Sequence, residues 1–182
     1  MKSSVALIGF MGTGKTAVGR ALAEKLGKKF VELDAFIERK AGKTIPEIFR
    51  QDGEIAFREL EIEATKEIAG KKNMVVACGG GIVLNKINID RLKRECVIVY
   101  LTASPSVILK RVSKGGSERP MLNADDRRLK IKELLAFRKP FYERAADITI
   151  DTSKLSVKAV ADEIMRQMRE GRQAIEKGSK AN

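Results

Sequence analysis

The chain has no histidine and no tryptophan in its 182 residues. Without histidine there is no Ser-His-Asp triad, no imidazole base and no His-ligated metal, so proton transfer falls to a carboxylate, a lysine or water. Two cysteines, Cys78 and Cys96, are too few for a disulfide framework and form no zinc pattern, which points to a reducing, cytoplasmic setting. Long apolar runs are also missing. The longest, such as Met74 to Cys78 and Val97 to Leu101, have the length of a strand and fall far below the ~20 residues that span a bilayer, so no membrane association is expected. The apolar stretch at the N-terminus breaks at Gly9, which argues against a signal peptide. Four prolines and 15 glycines are ordinary and exclude collagen-like or low-complexity classes.

Positive charge is what the chain has in excess: 36 Lys and Arg against 24 Asp and Glu, a net of +12. With 43% hydrophobic residues, the length suits one domain able to bury a substantial core. That domain is expected over residues 1–168, followed by a polar tail at 169–182 that frays or extends the last helix. Short β-branched runs at Val5 to Ile8, Lys29 to Leu33, Met74 to Ala77, Val97 to Leu101 and Ile148 to Ile150 read as strands. Between them lie helical patterns at Lys15 to Leu26, Pro46 to Arg50, Glu54 to Ala69, Lys86 to Lys93, Pro105 to Val112, Arg127 to Arg144 and Val157 to Met168. Such alternation implies βαβ crossovers and a mostly parallel sheet covered on both faces. Thr44 to Glu47 has capping-box spacing with Pro46 in the first turn, Ser104-Pro105 reads as a cap followed by proline, and Gly27 supplies a helix stop. The segment Ser113 to Asp126 breaks the pattern. It is rich in glycine, and Lys110 to Lys132 holds eight basic residues against three acidic ones.

The sharpest motif is Gly9-Phe10-Met11-Gly12-Thr13-Gly14-Lys15-Thr16, a full G-x-x-x-x-G-K-[ST] between an apolar strand and an amphipathic helix. Its glycines let backbone N–H groups surround phosphate oxygens at a positive helix N-terminus. Lys15 then meets the β and γ phosphates, and the Thr16 hydroxyl meets Mg²⁺. Asp34 follows the second strand, where ligands of an open parallel sheet gather. Strand alternation projects Glu32 and Asp34 to one side, one carboxylate assisting the metal through water and the other addressing an acceptor hydroxyl. The other reading of Asp34, as N-cap of a helix Ala35 to Lys40, stands beside it. Arg58 and Glu61 by themselves read as a surface i,i+3 pair. Gly79-Gly80-Gly81 directly follows a buried strand, so it is either a close approach of backbone to ligand or a plain turn. Arg119 and Arg138 suit phosphate or carboxylate clamping, although any single arginine in so basic a chain is more often surface charge.

Taken together, the P-loop motif, Asp34, Phe57-Arg58-Glu59-Leu60-Glu61, Gly79-Gly80-Gly81, Arg119-Pro120, Arg138-Lys139-Pro140-Phe141-Tyr142 and Asp151-Thr152-Ser153-Lys154 resemble the shikimate kinase family. The resemblance covers about Ser3 to Met168. It implies an α/β P-loop kinase fold: a central parallel five-stranded sheet flanked by helices on both faces, with a mobile lid at about 113–126 and a substrate-binding region at about 34–61. It implies ATP as co-substrate, Mg²⁺ as cofactor, shikimate as acceptor and a monomer, on the route to chorismate and the aromatic amino acids.

Carried over position by position, Asp34, Arg58, Gly79, Gly80, Gly81 and Arg138 hold shikimate, with Phe49 and Phe57 as an aromatic wall. Gly12, Thr13, Gly14, Lys15, Thr16 and Ala17 hold the phosphates. Arg111 and Lys154 lie near the adenine, and Arg119 reaches the phosphates from the lid. Thr16 holds the metal, and Glu32 does so through water. Lys15, Asp34 and Arg119 carry catalysis. Two positions depart from the family: Glu32-Leu33-Asp34 replaces the usual Asp-x-Asp, and Lys154 replaces the usual arginine, losing planar stacking. The rival readings are a gluconate or nucleoside monophosphate kinase, and nucleic-acid binding driven by the charge. With two Tyr, seven Phe and no Trp for base stacking, the last is disfavoured, and no nucleic-acid partner is expected.

Overall fold

The computed structural model describes residues 2–114 and 127–179. Five strands form one parallel sheet in the order β2-β3-β1-β4-β5: β1 Ser4–Ile8, β2 Lys29–Glu32, β3 Met74–Ala77, β4 Cys96–Thr102 and β5 Ile148–Asp151. The helices are α1 Lys15–Leu26, α2 Leu33–Ala41, α3 Ile45–Gln51, α4 Gly53–Ala69, α5 Lys86–Leu92, α6 Pro105–Lys114, α7 Arg127–Ala145 and α8 Val157–Ser179, with a 3-10 turn at Ile82–Leu84. The expected five-stranded parallel sheet is therefore present.

Period-two alternation divides the core between the two faces of the sheet. Ala6, Ile8, Val76, Ile98 and Tyr100 face one layer, where Phe57, Ala64 and Ile68 of α4 pack with Leu92 of α5 and Tyr142 of α7. Val5, Leu7, Val75, Val99 and Leu101 face the other, against Val18 and Leu22 of α1 and Val160 and Ile164 of α8. Because both faces are covered, β1 is buried along its whole length and is apolar throughout after Ser4.

Helix ends follow the sequence signals. Thr44 and Glu47 close a reciprocal capping box on α3, and Gly27 ends α1 at φ 61°. The Ser104 hydroxyl accepts from the Val107 N–H at 3.4 Å at the start of α6. α8 continues through most of the polar tail to Ser179, the extending alternative of the two expected there.

Strand β1 lies between β3 and β4, so connections from its two neighbours leave in opposite directions and open a crevice at its C-terminal end. The loop into α1 fills that crevice. Gly9 begins it at φ 144°, and a side chain there would collide with the Leu101 carbonyl of β4, so only glycine fits.

Candidate active site

The loop Gly9–Thr16 turns through two further left-handed glycines, Gly12 at φ 77° and Gly14 at φ 94°. Thr13 is buried and donates its hydroxyl to the Phe10 carbonyl at 2.8 Å, fixing the loop from beneath. Lys15 folds back over the loop and donates to the carbonyls of Gly9 (2.8 Å) and Phe10 (2.9 Å). Its charge is thus already held over the loop centre, at the positive end of α1, where a polyphosphate would sit.

Thr16 donates its hydroxyl to Glu32 Oε1 at 2.7 Å, bringing the two expected metal-site residues together. Arg20 stands 3.9 Å from the other carboxylate oxygen. A hydroxyl beside a carboxylate at a phosphate loop is a hard oxygen donor set, which suits Mg²⁺. Among the described residues there is no cluster of three or more His, Cys, Asp or Glu placed to hold a metal ion.

Asp34 faces the same cleft as Glu32, but for a reason other than strand alternation. Strand β2 ends at Glu32, and Leu33 already belongs to α2, so Asp34 lies in the first helical turn. Nor is it the N-cap, a position Glu32 occupies. An acidic side chain there gains from the helix dipole.

Arg58 is no surface pair. Its guanidinium lies between Glu61 Oε2 (3.0 Å) and Glu54 Oε1 (3.0 Å) and reaches over the backbone of Gly81. A Cβ on Gly81 would stand 2.5 and 2.6 Å from its terminal nitrogens, and one on Gly79 would stand 2.7 Å from Asp34 Oδ1 and 3.3 Å from Glu61 Oε1. The glycine run after β3 is therefore a close-approach surface. The Gly80 carbonyl accepts from Arg138 Nη1 at 3.4 Å, and Arg138 is only 4% exposed, its guanidinium 5.7 Å from the Phe10 ring centre. Phe49 and Phe57 pack against each other with centroids 4.8 Å apart and close the far wall.

These groups line a single cleft of about 940 Å³ that runs from the phosphate loop to α3 and α4. Gly12, Gly14, Ala17 and all of the expected acceptor residues border it. Thr13, beneath the loop, Arg111 and Lys154 do not. Arg111 instead donates to the Gly12 carbonyl (3.2 Å) and to Thr152 through Oγ1 (3.0 Å) and the carbonyl (2.8 Å), tying α6 to the phosphate loop and the loop after β5. Lys154 is exposed on that same loop. Arg119 and the expected lid from residue 115 to 126 lie outside the described residues.

Electrostatics sharpen the arginine side of the cleft. Burial raises the Glu61 carboxyl above its ordinary value, with Arg58 pulling the other way, and the Asp34 charge adds to the rise. Burial also works against the Arg58 charge, but Glu61 and Glu54 outweigh it and hold the guanidinium above its ordinary value. Cys78 borders the cleft, yet burial pushes its thiol far up, so it is no nucleophile.

Three contributors appear in the sequence motifs without a role at the site: Glu61, Tyr142 and Thr152. Glu61 carried a signal, because it falls in the apolar stripe Phe57, Ala64, Ile68 of α4, and a carboxylate there must be buried. The Tyr142 hydroxyl donates to the Gly80 carbonyl at 2.5 Å. Thr152 supports the phosphate loop by donating to the Thr13 carbonyl at 3.0 Å, a contact across 139 residues that no local pattern reveals.

Comparison with known proteins agrees with this geometry. A family model for shikimate kinase matches residues 11–169. The shikimate kinase of Thermodesulfovibrio yellowstonii is 47% identical over 164 residues, 90% of this chain and 94% of its own. That of Caldanaerobacter subterraneus subsp. tengcongensis is 45% identical over 163 residues, again 90% and 94%. Among solved structures, shikimate kinase from Acinetobacter baumannii in complex with shikimate superposes with a TM-score of 0.89 at 36% identity, over 94% of this chain and 95% of that one. A gluconokinase from Sinorhizobium meliloti shares the fold alone, at 17% identity and a TM-score of 0.59. A phosphate loop opening onto the buried Arg138 and the half-buried Arg58, matched along nine-tenths of the chain by such relatives, places this protein in the shikimate kinase family.

Proposed function

We propose that this chain transfers the γ-phosphoryl group of ATP to the 3-hydroxyl of shikimate, giving 3-phosphoshikimate and ADP on the route to chorismate and the aromatic amino acids. The observation that carries this reading is the single cleft in which Arg58, Arg138 and Asp34 stand opposite the phosphate loop. The buried Arg138 and half-buried Arg58 guanidinium groups beside glycine backbone suit one planar carboxylate, which positions the ring. Asp34 then addresses ring hydroxyls and orients the one that attacks, accepting its proton as the new bond forms. Lys15, drawn from its carbonyl partners onto the β and γ phosphates, takes up charge as transfer proceeds.

Arg119 adds positive charge from the segment after α6, and Arg111 and Lys154 border the adenine. Mg²⁺, held by Thr16 and through water by Glu32, would supply neutralisation of the phosphate charge. The enzyme is read as a cytoplasmic monomer, with residues 1–168 as the working domain. No described helix is long and apolar enough to cross a membrane. ADP release measured with shikimate, gluconate and nucleoside monophosphates side by side tests the assignment. Turnover is expected with shikimate, and ready use of either rival in its absence would overturn it.

A further inference from the structure

Tyr142 has no part in the proposed reaction, although it closes the stretch that supplies Arg138. It lies on α7 one turn beyond that arginine and is fully buried. Its ring stacks on Tyr100 near the end of β4, with centroids 4.9 Å apart and planes 14° from parallel. The stack aims the hydroxyl at the Gly80 carbonyl, which it reaches at 2.5 Å. Burial pushes the phenol well above its ordinary value and outweighs the Arg138 guanidinium, which bonds the same oxygen and pulls the other way, so the hydroxyl keeps its proton to donate.

The Gly80 carbonyl is a sensitive place for such a bond. On one side of it the Asp34 and Glu61 carboxyl groups crowd Gly79, and on the other the Arg58 guanidinium crowds Gly81. No cis peptide occurs among the described residues, so the Gly81 N–H points opposite to the Gly80 carbonyl. Glycine leaves that peptide plane free to turn. A turn would swing a carbonyl dipole towards the space the arginines keep for an anion. Without the phenol, Arg138 would also be the remaining donor to that carbonyl, now at 3.4 Å, and would be drawn to it and away from the ligand. Arg138 Nε is buried without a hydrogen-bond partner among the described residues, so the guanidinium keeps capacity in hand for an incoming acceptor.

We propose that Tyr142 is a positioning residue: its hydroxyl locks the Gly80–Gly81 peptide with the carbonyl turned to α7, keeping the loop and Arg138 set for the carboxylate of the acceptor. The inference rests on the acceptor being shikimate. Steady-state kinetics on the full-length enzyme test it. Tyr142→Phe keeps the ring and the stack and removes only the oxygen. It is expected to raise KM for shikimate about five- to tenfold, the worth of one hydrogen bond to a buried carbonyl, with KM for ATP and kcat close to wild type.

Tyr100→Phe, which trims the other ring of the stack, is expected to leave KM for shikimate unchanged. As a pair matched in shape, 4-aminophenylalanine at position 142 retains a donor and is expected to restore KM, while 4-fluorophenylalanine lacks one and is expected to behave as Phe. That pair also decides the matter if Tyr142→Phe does not fold. Equal KM for shikimate in the donor and non-donor proteins, or an equal rise in KM for ATP, would overturn the proposal. A wild-type enzyme that ignores shikimate would instead overturn the assignment of the reaction.

Discussion

Replacing Glu61 by glutamine should separate stability from function. The side chain is 1% exposed and holds Arg58 at 3.0 Å, while the second partner of Arg58, Glu54, is half exposed and screened by solvent. Glutamine keeps the shape and an acceptor oxygen but turns a charge-assisted bond of ~1.5–3 kcal/mol into a neutral one of ~0.5–1.5 kcal/mol. Loss of roughly 1–2 kcal/mol in the hold on Arg58 corresponds to about a fivefold to thirtyfold fall in kcat/KM for shikimate.

Stability should move the other way. Burial raises the Glu61 carboxyl above its ordinary 4.5, so the folded state binds this proton more tightly than the unfolded state. The stability that protonation contributes is fully present below pH 4.5 and is lost as pH rises through the higher folded-state value. The glutamine variant lacks that loss. Its melting temperature relative to wild type should therefore climb with pH, while its use of shikimate falls. Melting curves across pH, together with kcat/KM for shikimate, check both halves. An unchanged kcat/KM, or a melting difference that does not vary with pH, would refute the reasoning.

Three further outcomes follow from the same geometry. Gly81→Ala would place a Cβ 2.5–2.9 Å from the Arg58 guanidinium, so KM for shikimate should rise while KM for ATP holds; equal effects on both substrates would contradict this. Glu32→Gln should raise the Mg²⁺ concentration needed for half-maximal activity, and an identical Mg²⁺ titration would remove Glu32 from the metal site. Lys15→Ala should abolish transfer yet leave the melting temperature nearly unchanged, since the side chain reaches the carbonyls of the phosphate loop at the border of the cleft; near-normal turnover at saturating ATP would contradict its role.

The sheet was legible because its strands are buried on both faces and read as short apolar runs between helices. The phosphate loop was legible because each of its residue types answers a local need. The step from β2 to α2 was not. Val31-Glu32-Leu33-Asp34 keeps strand-like alternation, yet the chain enters the helix at Leu33, whose buried side chain joins the α2–α4 layer. Only tertiary packing decides that boundary. Arg58 shows the same limit from the other side: i,i+3 spacing to Glu61 describes an exposed helix pair equally well, and burial of Glu61 in the α4 stripe turns it into part of the cleft. The bonds of Arg111 to Gly12 and Thr152 run between segments far apart in sequence. Such contacts leave no local trace.

The central claim is that paired arginines read the carboxylate of shikimate while the neighbouring phosphate loop delivers the phosphoryl group. ADP release with shikimate and with its methyl ester, which keeps the ring hydroxyls and loses the charge, tests this most directly. The account predicts shikimate-dependent turnover and, for the ester, a kcat/KM lower by roughly ten- to a hundredfold, the worth of one charge-assisted bond or more. ATP turnover that ignores shikimate, or an ester used as well as the acid, would contradict it.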